Sequence, residues 1–141
     1  MSRIETRGVR NRNPGNLDYR AANRWQGQLP HNPAVEARFC RFDTAENGIR
    51  ALGKTLLTYQ RKHGLKTVKA IVNRWAPGVE NDTDAYVRAV ELGTGFAPGV
   101  DVDLTEFEVL KAFVRAIIRH ENAGYAYPDA VLSEGVRRAL L

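Results

Sequence analysis

A carboxylate stands where an apolar residue is expected at the end of one strongly periodic segment. Phe107, Leu110, Val114 and Ile117 follow one another at spacings of three and four residues, as on the buried face of a helix. The next step of four reaches Glu121, so its side chain is predicted to leave the core face at the helix C-terminus. Burial and the negative end of the helix dipole both favour the protonated carboxylic acid. Glu121 is therefore a candidate general acid.

The remaining carboxylates do not supply an obvious second acid. Cleavage of a glycosidic bond usually needs a second carboxylate or an ordered water beside the general acid. Several acidic residues stand where helix capping or solvent exposure explains them: Asp18, Asp43, Glu46 and Glu80. With one acid, the sequence leaves open a lytic transglycosylase, in which the substrate assists, and an inverting muramidase, in which a loop asparagine holds water.

Residues 7–17 form an unusually polar segment with three arginines and three asparagines. Asn13, Pro14, Gly15 and Asn16 have the composition of a tight turn, so we interpret the segment as a loop and not as a helix or core strand. Such asparagines often only satisfy backbone groups. Loops held by a scaffold also carry function, and Asn13 and Asn16 are therefore candidate amide donors to a substrate.

Aromatic faces that could stack on sugars flank these groups. Trp25 lies in a polar segment and is the better candidate of the two tryptophans, since Trp75 completes a helical stripe. Tyr125 and Tyr127 follow Glu121 closely and are predicted to line the same cleft. His120 points about 100° away from its neighbour on a helix and is interpreted as a surface residue.

Five helices are predicted to position these residues. Their signals are capping residues at the start, apolar stripes, and glycine or proline at the end. The predicted helices run from Asp43 or Thr44 to Gly64, from Thr67 to before Pro77, from Asp82 or Thr83 to Gly93, from a capping box at residues 103–106 to about Glu121, and from Pro128 to the C-terminus.

The first 42 residues are predicted to be irregular with a small sheet. Residues 16–20 and 24–29 could each form a short strand. Residues 35–42 alternate, with Val35, Ala37 and Phe39 expected inward and Glu36 and Arg38 outward. We therefore predict an α+β, mainly helical single domain over residues 1–141, with a basic loop and small sheet in residues 1–42 and a helical part in residues 43–141. A purely helical domain is the alternative.

Composition and charge narrow the class. With 43% hydrophobic and 26% charged residues, the chain is predicted to be a globular domain without a membrane span or signal peptide, made in a cytoplasm. Eight of the arginines lie in residues 1–42 with only three acids, so the net charge of +5 is concentrated there and would attract polyanions. Cys40 is expected to be a buried, inert thiol. The histidines show no metal-ligand spacing, so we expect no metal and no cofactor.

The ordered set of motifs resembles a group of small bacteriophage and prophage proteins that begin with an N-x-N-P-G-N-[IL] loop. The matching segments after that loop are residues 25–27, 39–43, 48–51, Tyr59, 74–77, 80–83, Tyr86 and 120–122. Members of the group are virion proteins or cell-wall lytic proteins with a lysozyme-like domain. A weaker likeness links the chain to bacterial N-acetylglucosaminidases.

The resemblance implies a lysozyme-like fold and cleavage of the peptidoglycan glycan strand, either in the virion or at the cell wall. In lysozyme-like enzymes the catalytic glutamate ends a helix facing the sugar cleft, which matches Glu121. In the glucosaminidases and transglycosylases the acid precedes the asparagine loop, which makes Glu5 the alternative acid. Two further functions stay open: a non-catalytic virion assembly protein with this fold, and a nucleic-acid-binding protein. The second is disfavoured because the arginines lie in a loop.

Overall fold

The computed structural model describes residues 5–78 and 82–141 of the chain. Glu80, one of the carboxylates considered above, therefore lies outside the described residues. The described part contains six helices: α1 (Arg7–Arg10), α2 (Ala45–His63), α3 (Val68–Trp75), α4 (Thr83–Thr94), α5 (Phe107–Glu121) and α6 (Asp129–Ala139). The mainly helical class is thus confirmed. No helix in this part of the chain is long and apolar enough to span a bilayer.

Local capping chemistry sets most helix boundaries, as predicted. The Thr44 side chain accepts a hydrogen bond from the backbone N–H of Asn47 at the start of α2, and Gly64 ends that helix with a φ of +62°. Thr67 caps α3 in the same way through the backbone N–H of Ala70. These boundaries depend on residues within one turn, which explains why the sequence alone indicates them.

The end of α4 was predicted wrongly. The helix continues through Gly93 to Thr94 and is capped by Gly95, which has a φ of +80°. A Cβ at Gly93 would lie 3.1 Å from the Cβ of Ala116, so this glycine lets α4 approach α5 closely. Leu92, beside Gly93, is 81% exposed although leucine favours burial.

The core forms where α2 packs against α6, α3 and α5, while α4 packs on α3 and α5. Ile49, Leu52 and Leu56 of α2 are fully buried within it. The α2–α6 contact is especially close, since a Cβ at Gly135 would lie 2.5 Å from the Cβ of Ile49. This close packing fixes the helical frame that carries the loops.

Two features of the first 42 residues differ from the prediction. The segment assigned wholly to a loop begins with one helical turn, α1. The expected small sheet is absent from the described residues, which have only two isolated antiparallel bridges, Asp18 with Phe39 and Gln28 with Phe42. Turns at residues 21–22 and 33–35 interrupt the pairing, so no ladder extends beyond single pairs.

The predicted alternation of residues 35–39 fails at Val35, Glu36 and Ala37, whereas Arg38 is exposed as expected and Phe39 is partly buried. Val35 is 59% exposed and Glu36 only 4%. Glu36 is buried because its carboxylate accepts hydrogen bonds from the side chains of Arg7 and Asn11 and from the backbone N–H groups of Arg38 and Phe39. The hydrogen bonds that Glu36 accepts from backbone and side-chain donors therefore contribute more than the burial of Val35 would.

Candidate active site

Glu121 is the last residue of α5 and continues its buried stripe into a large cleft. Leu110, Val114 and Ile117 are completely buried, and Phe107 packs against the same core. One turn further, the partly buried side chain of Glu121 lines a cleft of about 1080 Å³. The helix thus holds a carboxylate at the boundary between an apolar core and an open cavity.

Both oxygens of Glu121 accept hydrogen bonds from distant parts of the chain. The Asn16 side-chain Nδ2 donates to Oε1 at 3.0 Å, and the Tyr86 hydroxyl donates to Oε2 at 2.9 Å. The Tyr86 hydroxyl in turn accepts from Nε1 of Trp75 at 3.0 Å. Burial, then the charge of Glu121, raises the pKa of Tyr86, which keeps its phenol a neutral donor. The carboxylate at the end of α5 is therefore bonded to the N-terminal loop and to α4, and it is linked to α3 through Tyr86.

The turn before Leu17 aims Asn16 at this carboxylate. Asn16 has a φ of +51°, in the left-handed region that only a few residue types adopt readily. Gly15 lies against the core, since a Cβ there would be 3.1 Å from Trp75 and 3.2 Å from Leu52. The side-chain oxygen of Asn16, Oδ1, is buried and accepts no hydrogen bond from the described residues. The amide is therefore held at Glu121 by backbone geometry and not by its own oxygen.

Asn13 stabilises the turn from inside. It is completely buried, its Nδ2 donates to the carbonyls of Leu17 and Cys40, and its Oδ1 accepts from the Leu17 N–H. Every polar atom of the side chain is thus used by the protein backbone. The structure gives Asn13, which was expected to contact substrate, a place in the scaffold of the loop.

Asn122 fastens the loop to the end of α5. Its Nδ2 donates to the carbonyls of Pro14 at 2.8 Å and Ile118 at 2.9 Å, and its Oδ1 accepts from the Thr6 hydroxyl at 2.7 Å. Only glycine fits opposite, since a Cβ at Gly8 would lie 2.5 Å from Oδ1. The residue beside the candidate acid therefore fixes the distance between the loop and α5.

The cleft brings together part of the predicted set. Trp25, Asn16 and Glu121 all line it, and so does Trp75, which also packs against the core. Trp75 was the weaker of the two tryptophan candidates, because its helical period indicates burial and does not show that the side chain also lines a cavity. Aromatic faces and an amide beside a carboxylate are groups that bind sugars.

The other candidates lie elsewhere. Tyr125 and Tyr127 line a separate small depression with Arg115, and their rings pack edge to face at 4.8 Å. Burial, followed by the effects of Tyr125 and Glu5, raises the pKa of Tyr127. Glu5 is exposed and does not line the cleft. These three residues therefore do not join Glu121 at the cavity.

The cleft also contains charged residues that sequence reasoning missed. Asp18 lines it and is paired with Arg38 at 2.7 Å, with both side chains partly exposed. Arg20 and Arg74 line the wall as well. The excess of arginine in residues 1–42 was visible in the sequence, but a charge count cannot say which side chains face a cavity. Asp18 is thus a second carboxylate in the lining of the cleft, and its spacing in the sequence did not indicate this position.

Comparison with known proteins identifies a relative. No protein-family model matches the chain. The chain is 34% identical over 131 residues to Protein P5 of Pseudoalteromonas phage PM2, an alignment that covers 92% of this chain and 79% of that protein. The similarity therefore extends over most of both proteins and is not confined to one motif.

Proposed function

The chain belongs to the family of Protein P5 of Pseudoalteromonas phage PM2, and from this phage relationship we propose that it cleaves the glycan strand of bacterial peptidoglycan. A phage must pass the cell wall of its host, and an enzyme carried in the virion or released during lysis would act there. In this proposal Glu121 is the general acid, and the domain is lysozyme-like in architecture.

The placement of Glu121 carries the proposal. An apolar helix face delivers this carboxylate to a cleft of about 1080 Å³, and Trp25 and Asn16 border the same space. A general acid for glycosidic bond cleavage must combine partial burial with access to the leaving oxygen. Of the other acidic residues considered from the sequence, Glu5 does not line the cleft. Asp18 lines it, but it is paired with Arg38 and is not held by an apolar helix face.

The hydrogen-bond partners of Glu121 bear on its proposed role as a proton donor. As a carboxylate it accepts from Asn16 and Tyr86. When it carries a proton, a half-turn of the Asn16 amide would present the carbonyl oxygen that now lacks a donor. The acid can then protonate the glycosidic oxygen while Tyr86 holds its other oxygen, and the C–O bond of the sugar breaks.

The step after protonation depends on what stabilises the positive sugar carbon. Asp18 lies in the same cleft and could orient a water, with Arg38 holding its carboxylate. If a hydroxyl group of the substrate attacks instead, the product is a cyclised sugar end, as in lytic transglycosylases. Product analysis separates the two routes, because hydrolysis leaves a reducing end.

One observation favours a non-catalytic assembly protein as the second candidate. Both oxygens of Glu121 are satisfied within the fold, and their partners tie α4, α5 and the N-terminal loop together. A carboxylate with only a structural role would be held in the same way. In that case the family relationship to a phage protein would reflect a place in the particle.

The test is release of soluble fragments from purified Gram-negative peptidoglycan by the wild type, Glu121→Gln and Glu5→Gln. We expect Glu121→Gln to lose at least about a hundredfold in rate, as for a general acid, while Glu5→Gln matches the wild type. Urea unfolding of each variant verifies that the fold is intact, and Asp18→Asn tests the second carboxylate.

Three outcomes would contradict the proposal in different ways. Full activity of Glu121→Gln would remove this residue from the chemistry. Loss confined to Glu5→Gln would move the acid to the front of the chain. A wild type that releases nothing from the walls of several species would favour the assembly protein.

A further inference from the structure

Two arginines from separate parts of the chain converge on one wall of the cleft. Arg20 comes from the N-terminal segment and Arg74 from α3, and both line the cavity with Tyr59 of α2. The Arg74 guanidinium lies 5.3 Å from the centre of the Tyr59 ring. Burial raises the pKa of Tyr59, and the charges of Arg74 and Arg20 oppose this rise, so both act at its hydroxyl. The three side chains thus form one electrostatic group.

The positive charge of this group is not neutralised by the described residues. Within residues 5–78 and 82–141, neither Arg20 nor Arg74 takes part in an ion pair, whereas Arg7, Arg137 and Arg138 do. The acidic groups in the cleft are already engaged, because Asp18 pairs with Arg38 and Glu121 accepts from Asn16 and Tyr86.

Such a group suits an anion with two oxygens. A guanidinium presents N–H donors in a fixed fork that matches a carboxylate, and a second guanidinium with a phenol can complete its coordination. The neighbouring Thr55 and Thr58 hydroxyls donate to carbonyls within α2, so they do not compete as donors. This part of the cleft therefore offers positive charge that the described residues do not neutralise.

We propose that Arg20, Arg74 and Tyr59 form an anion subsite that binds a carboxylate carried by the glycan substrate, in the same cleft as Glu121. The inference rests on the proposed function for the identity of the substrate. Peptidoglycan carries such carboxylates on the peptides attached to its sugars. The subsite would therefore select glycan strands that bear acidic peptides over neutral polysaccharides.

The experiment measures binding without cleavage, in the Glu121→Gln background. The probes are soluble peptidoglycan fragments with free carboxyl groups and the same fragments after chemical amidation. Arg74→Gln and Arg20→Gln are compared with Arg88→Gln, which removes an exposed arginine of α4 that does not line the cleft. Arg74→Lys keeps the positive charge but removes the planar set of N–H donors of the guanidinium.

We expect each cleft variant to bind the carboxylated fragments about tenfold more weakly, with Arg74→Lys in between and Arg88→Gln unchanged. Amidated fragments should bind all proteins equally weakly. Equal binding by all variants, or indifference to amidation, overturns the subsite. Stronger competition by a phosphate-bearing wall polymer than by the carboxylated fragments overturns the assignment to carboxylate.

The design separates this inference from the proposed function. If the wild type degrades peptidoglycan while the arginine variants match Arg88→Gln in rate and affinity, the enzyme stands and the subsite falls. If carboxylated fragments bind in an Arg74-dependent way but the wild type cleaves nothing, the subsite stands and the enzymatic proposal falls.

Discussion

Replacing Glu36 by glutamine tests whether a single buried carboxylate organises the N-terminal segment. Its two oxygens accept five hydrogen bonds, two from Arg7 and one each from Asn11, Arg38 N–H and Phe39 N–H. Glutamine has the same shape but only one accepting oxygen. Whichever way the amide turns, its nitrogen faces at least two donors.

The magnitude follows from those two lost bonds. A hydrogen bond to a charged group contributes about 1.5–3 kcal/mol, and the half-exposed Arg7 guanidinium argues for the lower end of this range. We therefore expect Glu36→Gln to lower the free energy of unfolding by about 3 kcal/mol. In urea at pH 7 this corresponds to a midpoint lower by about 1–2 M.

Glu134→Gln is the matched control. Glu134 accepts two hydrogen bonds from Arg137 at 2.8 Å and one from Arg138 at 2.6 Å on α6, where solvent reaches its side chain, which is 31% exposed. Because solvent can replace these bonds, the urea midpoint should move far less than in Glu36→Gln. A midpoint shift for Glu36→Gln no larger than that for Glu134→Gln would refute the reasoning.

The pH dependence of the free energy of unfolding tests the role of Glu36 independently. The hydrogen bond from Arg7, ahead of the other donors, holds the pKa of Glu36 well below its ordinary value of 4.5. The stabilisation is therefore complete above pH 4.5 and is lost as the pH falls through the folded-state pKa. The stability gap between wild type and Glu36→Gln should narrow in acid. A gap that stays constant to pH 3 would contradict this assignment.

Three further predictions concern other positions. Tyr86→Phe removes the phenol that bonds the candidate acid, and should reduce peptidoglycan release while costing about 1 kcal/mol in urea unfolding. Unchanged activity would contradict its positioning role. Gly48→Ala places a Cβ 1.9 Å from the Arg12 carbonyl and should destabilise by about 3 kcal/mol, unlike Gly78→Ala, whose nearest atom is 3.7 Å away. Cys40 is only 2% exposed, and burial raises the pKa of its thiol to about 11, so a thiol reagent at pH 8 should label it only at the rate of unfolding.

The sequence predicts those parts of the fold that neighbouring residues determine. Thr44 and Thr67 cap their helices through N–H groups three residues away, and Gly64 ends α2 by its own backbone conformation. The role of Gly93 depends instead on Ala116 of another helix, so its glycine was misread as a terminator. Glu36 was misread partly for the same reason, because three of its five hydrogen bonds come from Arg7 and Asn11, which only the folded chain brings close.

In the candidate site, too, local features could be predicted from the sequence, whereas contacts between distant residues could not. The period of α5 places Glu121 at the boundary of the core, and this position could be inferred locally. Its partner Asn16 lies 105 residues away, and no local pattern indicates that contact. Tyr125 was expected in the cleft because it follows closely in sequence. Two left-handed residues, Ala123 and Gly124, turn the chain away first.

The clamp between the N-terminal loop and the end of α5 has a consequence for the order of folding. Asn122 reaches Pro14 across 108 residues and Thr6 across 116, so these contacts close very long stretches of chain. Contacts between residues so far apart in sequence form late, because closing the loop between them costs chain entropy. The helices in between must form and pack first to reduce that cost. During synthesis, Pro14 leaves the ribosome 108 residues before Asn122. The cleft therefore cannot be assembled until the end of α5 has been made, which keeps the candidate site incomplete while the chain is shorter than that.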